Sequence, residues 1–103
     1  MILYYMKNDE CCTKIEVDYI KETVRIENYT DNLFDRAFGV VEKPSFKEYE
    51  DFLESRCMPR SRGDIKSYLK SIGVDFYDPI SIIRKTKGVM AEDQGKFWIR
   101  IEE

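Results

Sequence analysis

The chain has 103 residues and a net charge of −3, with 43% hydrophobic, 14% aromatic and 36% charged residues. Apolar residues recur along its whole length, which excludes a disordered chain, and no run reaches the ~18 apolar residues that a membrane-spanning helix needs. Histidine is absent, which removes the side chain most used for proton transfer near neutral pH and the commonest metal ligand.

A chain of this size reads as one domain, residues 1–103, burying about 65% of its unfolded surface. The start, "MILYYMKNDE", has no basic region and too short an apolar run for a secretory signal, and three cysteines, two of them adjacent, make no disulfide framework. Both features point to a cytoplasmic location. The charge is divided: residues 1–54 carry net −6 and residues 55–103 net +3. The two halves are expected either to attract each other within the fold or to present faces of opposite sign.

In chain order, "ILYYM" (2–6) predicts a buried strand, and Asn8 and Asp9 a turn. In "CTKIEVDYI" (12–20), Ile15, Val17 and Tyr19 alternate with Lys14, Glu16 and Asp18, the period of a half-buried strand. A two-residue connection, Lys21–Glu22, leads to "TVRIENY" with Val24 and Ile26 opposed to Arg25 and Glu27. "TDNLFDRAFG" (30–39) then predicts a short helix between a Thr30 or Asp31 cap and Gly39.

Ser45 and Glu48 form a capping-box pattern, followed by Phe46, Tyr49, Phe52 and Leu53 at helical spacing; this helix ends near Arg56. After the loop "CMPRSRG", Asp64 caps a helix whose Ile65, Tyr68, Leu69 and Ile72 form one apolar stripe ending at Gly73. Asp78 and Pro79 open a third helix, which stops at Gly88. "KFWIRI" closes the chain as a strand, with Phe97, Ile99 and Ile101 on one face and Trp98 and Arg100 on the other. It joins the N-terminal sheet, because a lone strand cannot satisfy its backbone. The fold class is α+β: an N-terminal antiparallel meander plus a C-terminal strand, packed against three to four short helices.

The segment 55–74, "SRCMPRSRGDIKSYLKSIGV", concentrates positive charge in an acidic chain: Arg56, Arg60, Arg62, Lys66 and Lys70. Arginines in a loop between two well-specified helices suit a contact site, since guanidinium pairs bidentately with carboxylate or phosphate. The plainer reading pairs them with the acidic half, at Glu48, Glu50, Asp51 and Glu54. A third reading takes residues 64–87 as resembling a helix-turn-helix that meets nucleic acid with Lys66, Lys70, Arg84, Lys85 and Lys87. Against it, the start of the second helix, "DPISII", offers little to read base edges, the turn "GVDFYD" exceeds the ~3–4 residues usual there, and the pI is near 5.1. Arg84, Lys85 and Lys87 also complement a helix C-terminus.

Other groups read as structural. Cys11 and Cys12 on one strand point to opposite faces, and with Cys57 they make no metal-ligand spacing, so no metal and no cofactor is expected. Glu48, Glu50, Asp51 and Glu54 read as a solvated helix face. The five glycines stand singly at turns and helix ends, with no phosphate-binding loop. Trp98 reads as packed under a helix, with a surface anchor as the alternative.

From Phe52 onward the sequence resembles a segment of Firmicutes proteins associated with HipA-like kinase genes. The resemblance is carried by Phe52, Arg56, Pro59, Arg62, Leu69, Gly73, Gly88, Asp93, Gln94, Trp98 and Ile99, with Gly95, Lys96 and Phe97 inserted before Trp98. It covers about half the chain and implies an accessory or stand-alone module from a bacterial mobile-element or host-conflict locus, without a kinase site. By size and charge the chain is also similar to phage-encoded inhibitors such as anti-CRISPR proteins. The function expected is therefore a small non-enzymatic binding module that engages a protein partner, with nucleic-acid binding and phage inhibition as alternatives.

Overall fold

Three N-terminal strands and the C-terminal strand hydrogen-bond into one antiparallel sheet in a computed structural model that describes residues 1–102. The strands are β1 (Ile2–Lys7), β2 (Glu10–Asp18), β3 (Thr23–Asn28) and β4 (Phe97–Glu102), ordered β3-β2-β1-β4. Helices α1 (Phe46–Ser55), α2 (Ile65–Ile72) and α3 (Pro79–Thr86) lie between β3 and β4 in sequence, with a 3-10 turn at Ala91–Asp93. The α+β class, the meander and the return of the last strand to the sheet are as the alternation predicts.

One face of the sheet carries the core. Leu3, Tyr5, Ile15, Val17 and Ile99 pack with Tyr49, Leu53, Cys57, Leu69, Ile82 and Ile83 from the helices. Tyr5 stacks on Phe97 at 5.2 Å between ring centroids and meets Phe52 edge-on at 5.1 Å. A bulge adjusts the register: Tyr5 lies opposite Thr13 and Met6 opposite Cys11, so Cys12 is the extra residue. Cys12 joins the core while Cys11 stays half-buried on the other face. The outer face, without helices, shows Tyr4, Lys14, Arg25, Glu27 and Arg100. Trp98 belongs to it too, across from Met6, and donates its indole N–H to Asn8 O at 2.8 Å. It does not pack under a helix.

The turns depart from the expected pattern in two places. Residues 19–22, rather than two residues, join β2 to β3, because the Asp18 carboxylate accepts from the N–H groups of Ile20 and Lys21 at 3.0 Å. Residues 30–39 form consecutive turns rather than a helix. There Thr30 Oγ accepts from Asn32 N–H at 3.2 Å and Asn32 Oδ1 from Phe34 N–H at 3.0 Å. Short polar side chains thus take the amides that a helix would use. The segment is held by Ala37 N–H donating to Thr13 Oγ at 3.1 Å, by the Lys7–Asp35 pair at 3.1 Å and by Phe38 against Phe52.

Helix α1 starts where its capping residues predict. Ser45 Oγ accepts from Glu48 N–H and Glu48 Oε1 from Ser45 N–H, both at 3.1 Å, completing the capping box. α2 ends at Gly73 in the left-handed conformation and α3 starts at Pro79. Asp64 and Asp78 precede their helices without capping them: one holds Arg62, and the other accepts from Ser81 Oγ at 2.6 Å.

Two buried protonatable groups rest on this core. Tyr49 is fully buried, and its hydroxyl meets that of Tyr19 at 2.5 Å; burial, then this contact, raises its pKa. The Cys57 thiol, held against Leu53 O and Pro79 O at 3.3 and 3.6 Å, is pushed up to about 12, chiefly by burial.

Ser45→Ala removes half of the capping box and is expected to cost about 1 kcal/mol in urea denaturation, with Glu48→Ala adding less than a second such increment. The raised thiol makes stability depend on alkaline pH. Above the ordinary thiol value of 9.0 the unfolded chain loses the Cys57 proton while the folded chain keeps it. Stability is therefore complete below pH 9 and declines as pH rises towards 12. Denaturation midpoints at pH 8, 9.5 and 10.5 check the sign, and the decline is shallower in Cys57→Ala.

Candidate functional site

The basic segment runs from the end of α1, across a loop and onto α2. The structure divides its five cations into three groups. Arg56 turns inward. It caps the C-terminus of α1, with a side chain only 11% exposed. Its Nε donates to Gly88 O and its Nη2 to Phe97 O, both at 3.0 Å, and Nη1 pairs with Asp93 Oδ2 at 3.0 Å. The guanidinium sits 5.6 Å from the centre of the Tyr5 ring. The expectation that Arg56 leads an exposed contact surface is therefore corrected: its donors serve the chain's own carbonyls and one of its own acids. That acid comes from the basic half, since a charge entering the edge of the core needs whichever acceptors the fold brings there. Gly88 makes room for it. Its φ is +67°, and a Cβ there would lie 3.2 Å from Ile99 Cδ1 and 3.5 Å from Arg56 Cβ.

Arg60 and Arg62 remain at the surface, 61% and 47% exposed. Arg60 lies 4.4 Å from the centre of the Tyr77 ring and pairs with Glu54 at 3.3 Å. Arg62 pairs with Asp64 at 2.5 Å and donates to the Met58 sulfur at 2.8 Å. The loop that carries them is fastened from below. Tyr77 donates its hydroxyl proton to Met58 O at 2.8 Å, and Cys57 is buried under it. Tyr77, with the exposed Phe76 beside it, comes from a stretch that reads as a mere connector; two aromatics in a six-residue turn were the signal.

Lys66 and Lys70 stand exposed on α2, one turn apart, with no ion-pair partner among the described residues. Leu69 and the half-buried Ile65 and Tyr68 turn the other side of that helix to the core.

The helix-turn-helix reading of residues 64–87 meets a geometric obstacle. α2 and α3 are joined by six residues, and the start of α3 is buried: Ile82 and Ile83 are in the core, and Pro79, Ile80 and Ser81 are half-buried. The part of a recognition helix that should enter a groove is instead packed into the protein, with Pro79 O accepting from the Cys57 thiol at 3.6 Å. Arg84, Lys85 and Lys87 are exposed at the other end of α3, and Lys87 is its left-handed C-cap, with its carbonyl accepting from Ile99 N–H at 2.7 Å.

The acids of α1 split as well. Asp51 pairs with Lys47 at 2.6 Å, Glu48 closes the capping box and Glu54 receives Arg60. Among the described residues no three His, Cys, Asp or Glu side chains form a group that could hold a metal ion, and no helix is long and apolar enough to cross a membrane. The chain matches no protein-family model, no curated protein and no solved structure.

The division of the arginines is open to measurement. Arg56→Ala strips two carbonyls and Asp93 of their donor at a largely buried site and is expected to lower stability by about 3 kcal/mol, with Arg56→Lys recovering less than half. Arg60→Ala and Arg62→Ala each remove an exposed pair and are expected to cost under about 1 kcal/mol. Thermal unfolding monitored by circular dichroism distinguishes them, since about 3 kcal/mol shifts the Tm of a domain this size by ten degrees or more.

Proposed function

We propose that the chain is a non-enzymatic binding module that engages an acidic patch on a protein partner through the 58–62 loop and the outer side of α2. Arg60 and Arg62 are the anchors, and Lys66 and Lys70 supply the surrounding field. The observation that carries this reading is the fastening of an exposed loop. Tyr77 and Cys57 hold its backbone, and Arg60 lies against a ring, yet both guanidinium groups stay open to solvent. A loop ordered in advance loses little entropy on binding, and arginine is among the residues that most often dominate interface energies.

Both arginines already have carboxylate neighbours, but exposed pairs contribute only about 0–1 kcal/mol, so exchanging Glu54 or Asp64 for a partner's carboxylate in a desolvated contact is favourable. Phe76, 69% exposed next to Tyr77, adds apolar area alongside the charges. The resemblance to segments associated with HipA-like kinases supports a host-conflict setting for the partner. Acidic overall charge and the buried start of α3 favour protein over nucleic acid.

The test compares wild-type protein with Arg60→Ala/Arg62→Ala in affinity capture from host lysate, followed by titration against the captured protein. The double variant is expected to retain its fold and bind at least about 30-fold more weakly. Retention of the same partners at the same affinity removes this surface. A mobility assay with duplex DNA is expected to show no shift at physiological salt; a shift that collapses steeply with added salt favours the nucleic-acid alternative.

A further inference from the structure

The two edges of the sheet are finished differently. At β4, Ile99 N–H donates to Lys87 O at 2.7 Å and Phe97 O accepts from Arg56 at 3.0 Å, so the chain covers part of that edge with its own groups. At β3, none of the backbone bonds among the described residues provides such cover. The register says which β3 groups face outward. Tyr29 N–H donates to Cys12 O at 2.8 Å, continuing the β2–β3 ladder. By alternation Glu27, Arg25 and Thr23 also point their backbone groups at β2. Val17, opposite Val24, donates to Met1 O on the β1 side, which agrees. Val24, Ile26 and Asn28 therefore aim their N–H and C=O groups away from the sheet, as an unpaired row.

We infer that β3 pairs antiparallel with β3 of a second copy of this chain, about a two-fold axis through Ile26, giving one continuous sheet across the dimer. Bonds form only in a register that opposes outward residues with outward residues. Centring on Ile26 does so along the strand: Ile26 meets Ile26 of the second copy, and Val24 meets its Asn28, in both directions. Each of the outward donors then has an acceptor.

The charges select the same register. It sets Arg25 opposite Glu27 of the second copy, and Glu27 opposite its Arg25, as non-hydrogen-bonded pairs, whose side chains approach most closely. Both residues are exposed on the helix-free face. Within its own chain Arg25 lies across from Glu16 and Glu27 across from Lys14 without closing an ion pair among the described residues, and Glu27 accepts from the Tyr29 hydroxyl at 3.1 Å. The second copy adds an opposite charge on the open side of each, extending the alternation of Lys14 and Glu16 across the axis. Moving the axis by one residue, to Arg25 or to Glu27, still opposes outward groups but sets Arg25 against Arg25 or Glu27 against Glu27; moving it to Val24 or Asn28 sets Arg25 against Thr23 or Asp31, so every such change breaks the mutual pair. On the core face, half-buried Val24 and Ile26 would extend the apolar layer across the axis. A pair of charges that is correct in one register and wrong in its neighbours also discourages indiscriminate edge pairing.

A strand-to-strand contact buries little surface, so the dimer is expected to dissociate with a Kd on the order of 10–100 µM. Sedimentation velocity between 5 µM and 1 mM tests it, with three variants. Arg25→Glu alone sets acid against acid twice, and Glu27→Arg sets base against base twice; each is expected to weaken self-association about tenfold or more. The double variant Arg25→Glu/Glu27→Arg restores both pairs between copies while setting like charges against Glu16 and Lys14 within the chain; with its fold checked by circular dichroism, it is expected to return the Kd to within about threefold of wild type. Mixing the two single variants is expected to form a heterodimer, because each then carries what the other lacks. Hydrogen exchange reports the site directly: protection of the Val24, Ile26 and Asn28 amides is expected to rise with protein concentration. A chain that stays monomeric at 1 mM overturns the inference, as does self-association that the single variants leave unchanged or that the double variant fails to restore. Protection of these amides only when another protein is added also overturns it and assigns the edge to that protein.

Discussion

The arrangement of the C-terminal half depends on where the Arg56 guanidinium goes. Its donors join the end of α1 to the turn at Gly88, to the first residue of β4 and to Asp93 in the short turn between them. A charge placed this close to the core is tolerated only with acceptors on each side, and here three separate segments must be in position together to provide them. The contact therefore couples the last strand to the helical layer. Tyr5, between Arg56, Phe52 and Phe97, links the same point to the centre of the sheet. The left-handed turn at Gly88 serves the same end, since a side chain there would occupy the space of Ile99 and Arg56.

With Arg56 used internally, the remaining positive charge is distributed by a competition between burial and exposure. α3 gives its first turns to the core and keeps its cations for its C-terminal end, which takes it out of contention as a groove reader. α2 does the opposite along its length, with Lys66 and Lys70 facing solvent above a stripe headed by Leu69. The attraction expected between an acidic first half and a basic second half is largely unrealised. Lys7–Asp35, Arg36–Asp31 and Lys47–Asp51 lie within the first half, and Arg56–Asp93 and Arg62–Asp64 within the second. Arg60–Glu54 crosses, over six residues of chain. The halves instead meet through apolar packing, and the fold leaves an acidic chain with a localised basic loop.

The proposed loop surface and the β3 edge are separate in kind. The loop offers side-chain charge held on a prepared backbone; the edge offers the backbone itself, with charge used to choose a register. Two copies joined at β3 would display the loop twice in a fixed relation, and paired weak contacts raise the effective affinity for a repeated or symmetric partner. Such an arrangement allows a small domain to bind firmly through a contact that is modest on its own.

Much of the architecture was legible in the residues. Alternation in Ile15, Val17, Val24 and Ile26 specified strands, Ser45 with Glu48 specified where α1 starts, and Gly73 and Pro79 bounded the helices after it, because these signals act within a few residues of themselves. The 30–39 turns were misread because Thr30 and Asn32 serve equally as helix caps and as turn formers, and only the anchoring of Ala37 and Asp35 to the sheet decides between the two. The candidate site was legible as a cluster of cations and no further. The linear pattern treats Arg56, Arg60 and Arg62 alike; tertiary packing separates them, because Gly88, Asp93 and Phe97 arrive beside Arg56 from more than thirty residues away. The order of residues thus determined the local elements and the charge each carries. Which charges face solvent, and which sheet edge is left unpaired, was decided only when distant segments competed for the same carbonyls and the same buried space.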